Sequence, residues 1–281
     1  MKVALCCIAK MENRYINEYI EHYKKLGFDN IFIYDNNDID NERISDVITE
    51  HIDSGFAKVI DYRSKKVCQL LAYRDCYEKF NDQYDWIAFF DCDEFLEFSD
   101  KSLNIKDFLS FDYFSDAHAV HINWKIYDDN DLLEYNDLPL NKRFTRPKLP
   151  LDFSDKSYYD YPANGYYKTI LRCKLKNLIW GRDPHYLTIN PNYIAKTPSG
   201  KNCIWNFSIF RHPEFDICYL KHFMFKSIQE YVEVKIQRLY PDQPDYSAKS
   251  KLKLERFFIY NDWTQEKENY AKRLLEENSE I

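Results

Sequence analysis

The sequence predicts an α/β fold in which a mostly parallel central sheet is flanked by helices. Strands alternate with amphipathic helices through about the first 90 residues, and such alternation implies right-handed crossovers between parallel strands. Residues 86–90 are all apolar, which is typical of a strand buried on both faces. With 281 residues, 45% of them hydrophobic, the chain can bury a sizeable core and is not expected to be disordered.

The first part of the chain is expected to contain strands separated by helices. We expect strands at residues 3–9, 30–34, 57–61 and 85–90. Apolar residues at helical spacing predict helices around residues 16–26, 44–52 and 70–77. Gly27 and Gly55 follow the first two helices and should end them, because glycine adopts the left-handed conformation of a helix C-terminus at little cost.

The second half of the sequence is less regular. We expect a helix at 103–111, an alternating strand at 118–127, short strands at 167–172 and 186–190, and helices at 227–239 and 264–278. Residues 128–157 are polar and interrupted by proline, a pattern typical of a long functional loop.

Charge and cysteine usage exclude several classes of protein. A net charge of −7 has the wrong sign for general nucleic-acid binding, which needs a basic face. The eight cysteines form no C-x-x-C pair and no zinc-site spacing, so we expect reduced thiols. No secretory signal precedes the first strand, whose apolar run is too short to span a bilayer; we therefore expect a cytoplasmic protein.

A cluster of carboxylates follows the apolar strand at 85–90. In an extended segment Asp91 and Asp93 would point to the same side. Ligands of open parallel sheets bind beyond the carboxyl ends of the strands, and two carboxylates there suit Mg²⁺ or Mn²⁺ carrying a diphosphate. The same spacing occurs at Asp38 and at Asp129, but in polar surroundings. The alternative is an acidic loop that caps the next helix.

Four segments in chain order carry a family resemblance. They are residues 7–38, the helix with Gln69 and Tyr73, residues 85–96, and His222 with the segment 226–231. Together they resemble the GT-A glycosyltransferases of families 2 and 92, and the match spans roughly residues 1–240. The resemblance implies a GT-A, Rossmann-like sheet with an elaborated C-terminal half, and a nucleotide-sugar donor, most often a UDP-sugar.

The resemblance also implies where the donor lies. Lys10, Glu12 and Asn13, on the loop after the first strand, would hold the nucleoside. Gln69 matches the next helix of the family and is expected in the same pocket. Asp35 ends the second strand, where a carboxylate typically meets the base; alternatively it caps a helix.

A metal site is the second implication of the resemblance. Asp91 would touch the ribose or the metal, Asp93 the metal, and His222 would be a third ligand from the far half of the chain. One imidazole with carboxylate oxygens suits Mn²⁺. Lys226 could neutralise the leaving diphosphate. The alternative for His222 is an ordinary core or surface histidine.

The implied reaction is sugar transfer with inversion, in which a carboxylate removes the acceptor proton. Asp129 lies where related bacterial sequences often carry Gly-Asp-Asn, and Asp183 is its rival; each could instead be a solvated loop carboxylate. Residues 1–127 would bind the nucleotide sugar, and residues 128–281 would bind the acceptor and complete the metal site. The two halves would form one continuous domain.

The acceptor is expected to be a glycan or lipid-linked glycan of surface-polysaccharide synthesis, with peripheral contact at the inner face of the membrane. Two other functions stay open. One is a metal-dependent phosphatase or nucleotidyltransferase, although the chain lacks a Gly-rich phosphate-binding loop. The other is a non-catalytic sugar-binding protein, which would be expected to lose Asp91 or Asp93.

Overall fold

A computed structural model describes residues 1–148, 163–203, 213–238 and 249–279. The strands are β1 Val3–Ala9, β2 Asn30–Asp35, β3 Ala57–Asp61, β4 Trp86–Phe89, β5 Glu94–Phe98, β6 Ala119–Ile126, β7 Tyr167–Arg172, β8 Trp180–Asp183, β9 Tyr186–Thr188, β10 Ala195–Lys196 and β11 Cys218–His222. The helices are α1 Ile16–Lys25, α2 Thr49–Asp53, α3 Gln69–Phe80, α4 Ile105–Leu109, α5 Leu140–Arg143, α6 Ile228–Glu230, α7 Lys249–Tyr260 and α8 Gln265–Ser279. A π-helical turn, Tyr231–Ile236, continues α6 directly.

The central sheet confirms the predicted α/β class. Its strand order is β3-β2-β1-β4-β7-β6-β11-β5, and β10 pairs with β6. The strands β3, β2, β1 and β4 are parallel, as is the pairing of β11 with β6, whereas β7 runs antiparallel to both β4 and β6. Strands from both halves of the chain therefore share one sheet. The division into two functional halves at residue 127 stays a prediction.

Helices cover both faces of the sheet. Along β1, the residues Val3, Leu5 and Cys7 pack into the cluster that contains the apolar face of α1. The intervening Ala4 and Cys6 pack into a second cluster with α3. This alternation follows from the pleat of a strand and explains why β1 is apolar throughout. All eight thiols are free, and among the described residues no helix is long and apolar enough to cross a bilayer.

Helices and strands with a clear local sequence pattern were predicted better than strands that are recognisable only from their pairing with a distant segment. The strands at 57–61 and 167–172 are confirmed, but the helix expected at 44–52 is split into a 3-10 turn, Ile44–Asp46, and α2. The strands β5 and β11 and the helix α7 were not predicted. Glu94 and Glu97 interrupt the apolar residues of β5 without a clear alternation, so this strand becomes evident only where β11 pairs with it. Residues 149–157 of the expected functional loop and residue 239 of the expected helix lie outside the described residues.

Two tyrosines of α1 hold the backbone on either side of the carboxylate cluster. The hydroxyl of Tyr19 donates to the carbonyl of Phe90 at 3.0 Å. One helical turn later, the hydroxyl of Tyr23 donates to the carbonyl of Glu94 at 2.7 Å and accepts from the N–H of Leu96 at 3.1 Å. Both rings are fully buried, so these bonds replace contacts with water that the backbone has lost.

Removing the Tyr23 hydroxyl should loosen this segment. We expect Tyr23→Phe to lower the free energy of unfolding by about 1–3 kcal/mol, because a buried carbonyl and a buried N–H lose their partner. The amide of Leu96 should exchange faster in hydrogen-exchange measurements. Tyr84→Phe is the control, since that hydroxyl donates to the side chain of Asn30 at 2.6 Å, far from the cluster. Unchanged exchange at Leu96 in Tyr23→Phe would contradict the assignment.

Candidate active site

A cleft of about 330 Å³ opens beyond the carboxyl ends of β1 and β4, at the sheet edge where the sequence predicts ligand binding. Its charged lining residues are Lys10, Glu12, Asp91, Asp93, Lys168, Lys235, Arg238 and Arg256. The carboxylates come from the first half of the chain, and most of the cations come from the second half. The cleft therefore depends on the docking of the second half onto this edge.

Asp91 and Asp93 lie on a turn and not on an extended segment, which corrects the expected geometry. The N–H of Glu94 donates to the carbonyl of Asp91 at 3.0 Å, and the N–H of Asp91 donates to the carboxylate of Glu94 at 2.9 Å. These two bonds close the turn. The side chains of Asp91 and Asp93 consequently meet different partners.

The carboxylate of Asp91 has three side-chain donors. The ammonium of Lys168 lies 2.8 Å from one oxygen, while Gln69 at 2.9 Å and Tyr73 at 2.8 Å donate to the other. Burial alone would raise the pKa of Asp91, but the attraction of Lys168 and the hydrogen bonds from Lys168 and Tyr73 together hold the pKa below its usual range. Lys168 is fully buried and also lies 3.8 Å from Glu94, whose pKa burial raises well above its usual range.

The carboxylate of Asp93 is buried between the ammonium of Lys235 and the ring of His222. It forms an ion pair with Lys235 of the π-helical turn, and the Nε2 atom of His222 lies 3.5 Å from its other oxygen. Burial would raise the pKa of Asp93, but the ammonium of Lys235 and the hydrogen bond from His222 outweigh it and hold the pKa well below its usual range. Burial lowers the pKa of His222, whose ring lies 4.2 Å from that of Trp124 and is neutral at pH 7.

Glu12 joins the loop after β1 to the same π-helical segment. Its carboxylate pairs with Arg238, which also donates to the carbonyl of Lys10 at 2.7 Å. On the other side, the ammonium of Lys226 lies 3.9 Å from Glu12 and stacks over the ring of Tyr15 at 4.2 Å. π-Helical turns are rare and are frequent at functional sites. Here the turn directs two cations toward the cleft.

Of the three expected metal ligands, Asp91, Asp93 and His222, the structure brings only two together. Asp93 and His222 are neighbours, whereas Asp91 faces Lys168 and its two neutral donors. Across residues 1–148, 163–203, 213–238 and 249–279, no three His, Cys, Asp or Glu side chains converge on a point where they could hold a metal ion. An ammonium holds one oxygen of each aspartate, and the other oxygen of Asp91 accepts from Gln69 and Tyr73. Only one oxygen of Asp93 and the ring of His222 are left for an ion, so the described donor set fits Mn²⁺ or Mg²⁺ poorly.

The residues expected to hold the nucleoside fall into two groups. Lys10, Glu12 and Gln69 line the cleft, whereas Asn13 and Asp35 lie outside its lining. The side chain of Asn13 donates to the carbonyl of residue 43 at 3.0 Å. Both carboxylate oxygens of Asp35 accept backbone N–H groups, from residues 37 and 44, at 3.0 and 3.1 Å. Asp35 thus holds the loop that follows β2 and the first residue of the 3-10 turn Ile44–Asp46. Its contact with a donor base stays a prediction.

The two expected bases lie in different surroundings. Asp129 is fully buried, 2.7 Å from the ammonium of Lys267 on α8, and lies outside the cleft lining. Asp183 ends β8, and its carboxylate accepts the N–H of His185 at 2.8 Å. Pro184 and His185, on the turn between β8 and β9, do line the cleft. Asp183, which is next to these two lining residues, is therefore nearer to the cleft than Asp129.

His185 is a cleft residue that the sequence alone did not single out. Its Nδ1 lies 2.9 Å from the carbonyl of Tyr167, which can only accept, so Nδ1 carries the proton and Nε2 is the acceptor nitrogen. Burial, together with Lys168, lowers the pKa of His185 to about 4. The ring is therefore neutral at pH 7.

Four cations of the lining were not predicted from the sequence, namely Lys168, Lys235, Arg238 and Arg256. Lys168 is a lysine inside an otherwise mostly apolar strand, and that position is the signal that could have identified it. Lys235 and Arg238 are three residues apart on a helical segment, so they share one face. The expected cation Lys226 lies behind Glu12 and outside the lining, and Lys235 and Arg238 reach the cleft instead.

The sheet order and a charged cleft at the carboxyl ends of β1 and β4 define an α/β protein with a ligand site at that edge. The family model of glycosyltransferase family 92 matches residues 3–155, more than half of the sequence. The chain belongs to this family.

Individual relatives are more distant. A glycosyltransferase family 92 protein of Ricinus communis is 26% identical over 106 residues, which is 38% of this chain and 19% of that protein. The matched segment therefore spans about a fifth of that relative. The S. aureus protein TarS, residues 1–349, solved with UDP-GlcNAc, is 12% identical with a TM-score of 0.42, over 98% of this chain and 80% of that one. The mannosyltransferase PcManGT of Pyrobaculum calidifontis, solved with GDP-Man and Mn²⁺, is 9% identical with a TM-score of 0.34, over 43% and 35%.

The environment of Asp129 predicts that it stabilises the fold. We expect Lys267→Met to lower the free energy of unfolding in urea by about 3 kcal/mol, because it leaves a buried carboxylate without its nearest cation. Lys272→Met, on the same helix, removes an exposed partner of Glu268 at 2.6 Å and should change stability by less than about 0.5 kcal/mol. Equal losses of unfolding free energy in the two variants would show that the buried pair of Asp129 and Lys267 contributes no more to stability than an exposed pair.

Proposed function

We propose that this chain transfers a sugar from a nucleotide sugar to a hydroxyl group of a glycan acceptor. The observation that carries the proposal is a cleft rich in cations, at the strand ends of a glycosyltransferase family 92 member. Clefts at the carboxyl ends of such strands bind nucleotides in many α/β proteins. Lysine and arginine there supply the positive charge that a diphosphate needs.

The proposed reaction is a displacement at the anomeric carbon. The acceptor oxygen forms a new bond to this carbon, the bond from the carbon to the diphosphate oxygen breaks, and the electron pair leaves with the nucleoside diphosphate. The acceptor proton passes to a base in the cleft, and the configuration inverts. Asp91, whose side chain is 31% exposed, is the carboxylate best placed to accept hydrogen bonds from donor hydroxyl groups.

We assign the base to His185. Its acceptor nitrogen belongs to a neutral ring, and the ring is held by the carbonyl of Tyr167 while Asp183 fixes the backbone of the turn. A group with a pKa of about 4 is unprotonated at neutral pH and has the basicity of an ordinary carboxylate. Asp183 is then a positioning residue, and Asp129 is a structural one.

The proposal extends to the nucleotide of the donor and to the kind of acceptor. We propose a UDP-linked donor and a glycan or lipid-linked glycan acceptor of surface-polysaccharide synthesis. Ile259 and Trp263, near the end of α7, are 73% and 55% exposed and could contact the lipid of such an acceptor or the membrane that carries it. A phosphatase or nucleotidyltransferase is the competing function, and it would release phosphate or form a nucleotidyl bond.

Turnover of a panel of UDP- and GDP-sugars, with and without glycan acceptors, tests the function and the base together. We expect His185→Gln to lower turnover by about 100-fold or more, because the proton loses its acceptor, while the dissociation constant for UDP changes little. His118→Gln is the control, since His118 stacks on Tyr193 outside the cleft lining. Asp129→Asn should lower stability without a comparable loss of turnover.

The opposite pattern would reject the assignment. Wild-type turnover in His185→Gln would transfer the role of base to Asp183 or to another cleft residue. Release of inorganic phosphate from nucleotide sugars, without sugar transfer or sugar release, would favour the phosphatase.

A further inference from the structure

Two of the ion pairs at the cleft share an arrangement in which the carboxylate lies beneath the cation. The side chain of Asp93 is 4% exposed and that of its partner Lys235 is 11% exposed. Glu12 is 2% exposed and its partner Arg238 is 15% exposed. In each pair the more accessible group is the cation. A ligand that enters the cleft from solvent therefore meets Lys235 and Arg238 before it meets the carboxylates.

The charge of the lining agrees with this arrangement. Among the described residues that line the cleft there are five cationic side chains and three acidic ones, which leaves a formal surplus of two positive charges in a chain of net charge −7. The diphosphate of a nucleotide sugar carries about one negative charge on each phosphate. The side chains of the cleft can therefore balance the diphosphate without an added ion.

A divalent ion would have to compete with groups that are already in place. At Asp93 it would share a buried carboxylate with the ammonium of Lys235, which already holds one of the two oxygens. That ammonium would then stay close to a doubly charged cation, and like charges a few ångströms apart repel strongly in a partly buried site. His222 offers one nitrogen near Asp93, whereas Asp91 is turned to Lys168.

Resting on the proposed function, we propose that Lys235 and Arg238 bind the donor diphosphate directly, with no resident divalent ion. Asp93 and Glu12 act as positioning residues that hold these two cations at the cleft. Lys235 lies in the π-helical turn and Arg238 follows three residues later, so both cations extend toward the cleft from one helical face and supply one positive charge for each phosphate of a diphosphate. This replaces the Mn²⁺ or Mg²⁺ expected from the sequence.

Calorimetric titration with UDP, GDP and inorganic pyrophosphate, each in excess EDTA and in MnCl₂ after removal of EDTA, tests the proposal. We expect UDP to bind in EDTA with a dissociation constant within about threefold of that in Mn²⁺. Lys235→Gln should weaken UDP and pyrophosphate binding by about 10- to 100-fold in EDTA, because charge-assisted bonds to phosphate are lost. Lys235→Arg should keep most of the affinity, which separates loss of charge from loss of fold.

Two further variants complete the design. Asp93→Asn should weaken binding in EDTA only a few-fold, because an amide oxygen can still accept from Lys235. Lys196→Gln is the matched control: Lys196 is a mostly buried lysine paired with Asp116 at 2.5 Å, outside the cleft lining, and its loss should leave UDP binding unchanged.

The outcomes separate this inference from the proposed function. UDP binding that requires Mn²⁺, and that disappears in EDTA and in Asp93→Asn, would overturn the inference and leave the proposed function standing. Unchanged UDP binding in a folded Lys235→Gln would overturn it as well. Absence of binding by UDP, GDP and pyrophosphate in every condition would reject the proposed function itself.

Discussion

The cleft depends on one constraint, which is that a carboxylate removed from water must be paired. Beyond β1 and β4 the chain buries Glu12 and Asp93, each 3% exposed or less, and partly buries Asp91. An unpaired carboxylate in such a place costs several kcal/mol. The first half of the chain supplies these acids, and the nearest ammonium and guanidinium groups come from β7 and the 231–238 segment. Pairing of charge therefore ties the irregular second half to the regular sheet.

The helix α1 sets the distances within this arrangement. Tyr15, just before it, donates to Glu230 at 2.6 Å, and Tyr19 and Tyr23 follow at intervals of four residues, one turn apart on the same face. Glu230 also accepts from Arg143 at 2.7 Å and from Ser227 at 2.6 Å. One row of hydroxyls thus spans from the carboxylate turn to the start of the segment that carries Lys235. A shift of α1 would move both sides of the cleft.

The sequence predicted those parts of the structure that local pattern determines. Parallel strands were located to within a residue or two because β1 and β4 are apolar on both faces, and Asp91 and Asp93 were placed at the correct edge because strand ends share it. Lys168 could not be predicted in the same way. It reaches Asp91 because β7 pairs antiparallel with β4 in a register that sets Thr169 opposite Phe89, and that register joins residues 80 apart in the chain. No periodicity within either strand specifies it.

Asp129 shows how a distant helix sets the surroundings of a residue that the sequence predicts as the base. Its position after a sheet strand is the one that the family resemblance assigns to the base, yet α8 brings Lys267 against it and closes it off from water. The sequence of the loop after β6 contains no information about a helix more than 130 residues away. The same polar residue can serve as a base or as a buried anchor, and the partner that packs on it decides which.

The Asp-x-Asp motif has the same ambiguity. Two buried carboxylates at a strand end can hold a divalent ion, or they can hold lysines that take the place of the ion, and in both cases the aspartates are required. Family membership therefore does not decide how the positive charge is supplied. The informative observation is which member of each pair is closer to solvent, since this group meets the ligand. At Asp93 and Glu12 it is the cation, whereas at Asp91 it is the carboxylate. The cleft thus exposes cations at two ion pairs and a carboxylate at the third, and the proposed binding of a nucleotide sugar, with a charged diphosphate at one end and hydroxyl groups at the other, rests on this division of charge.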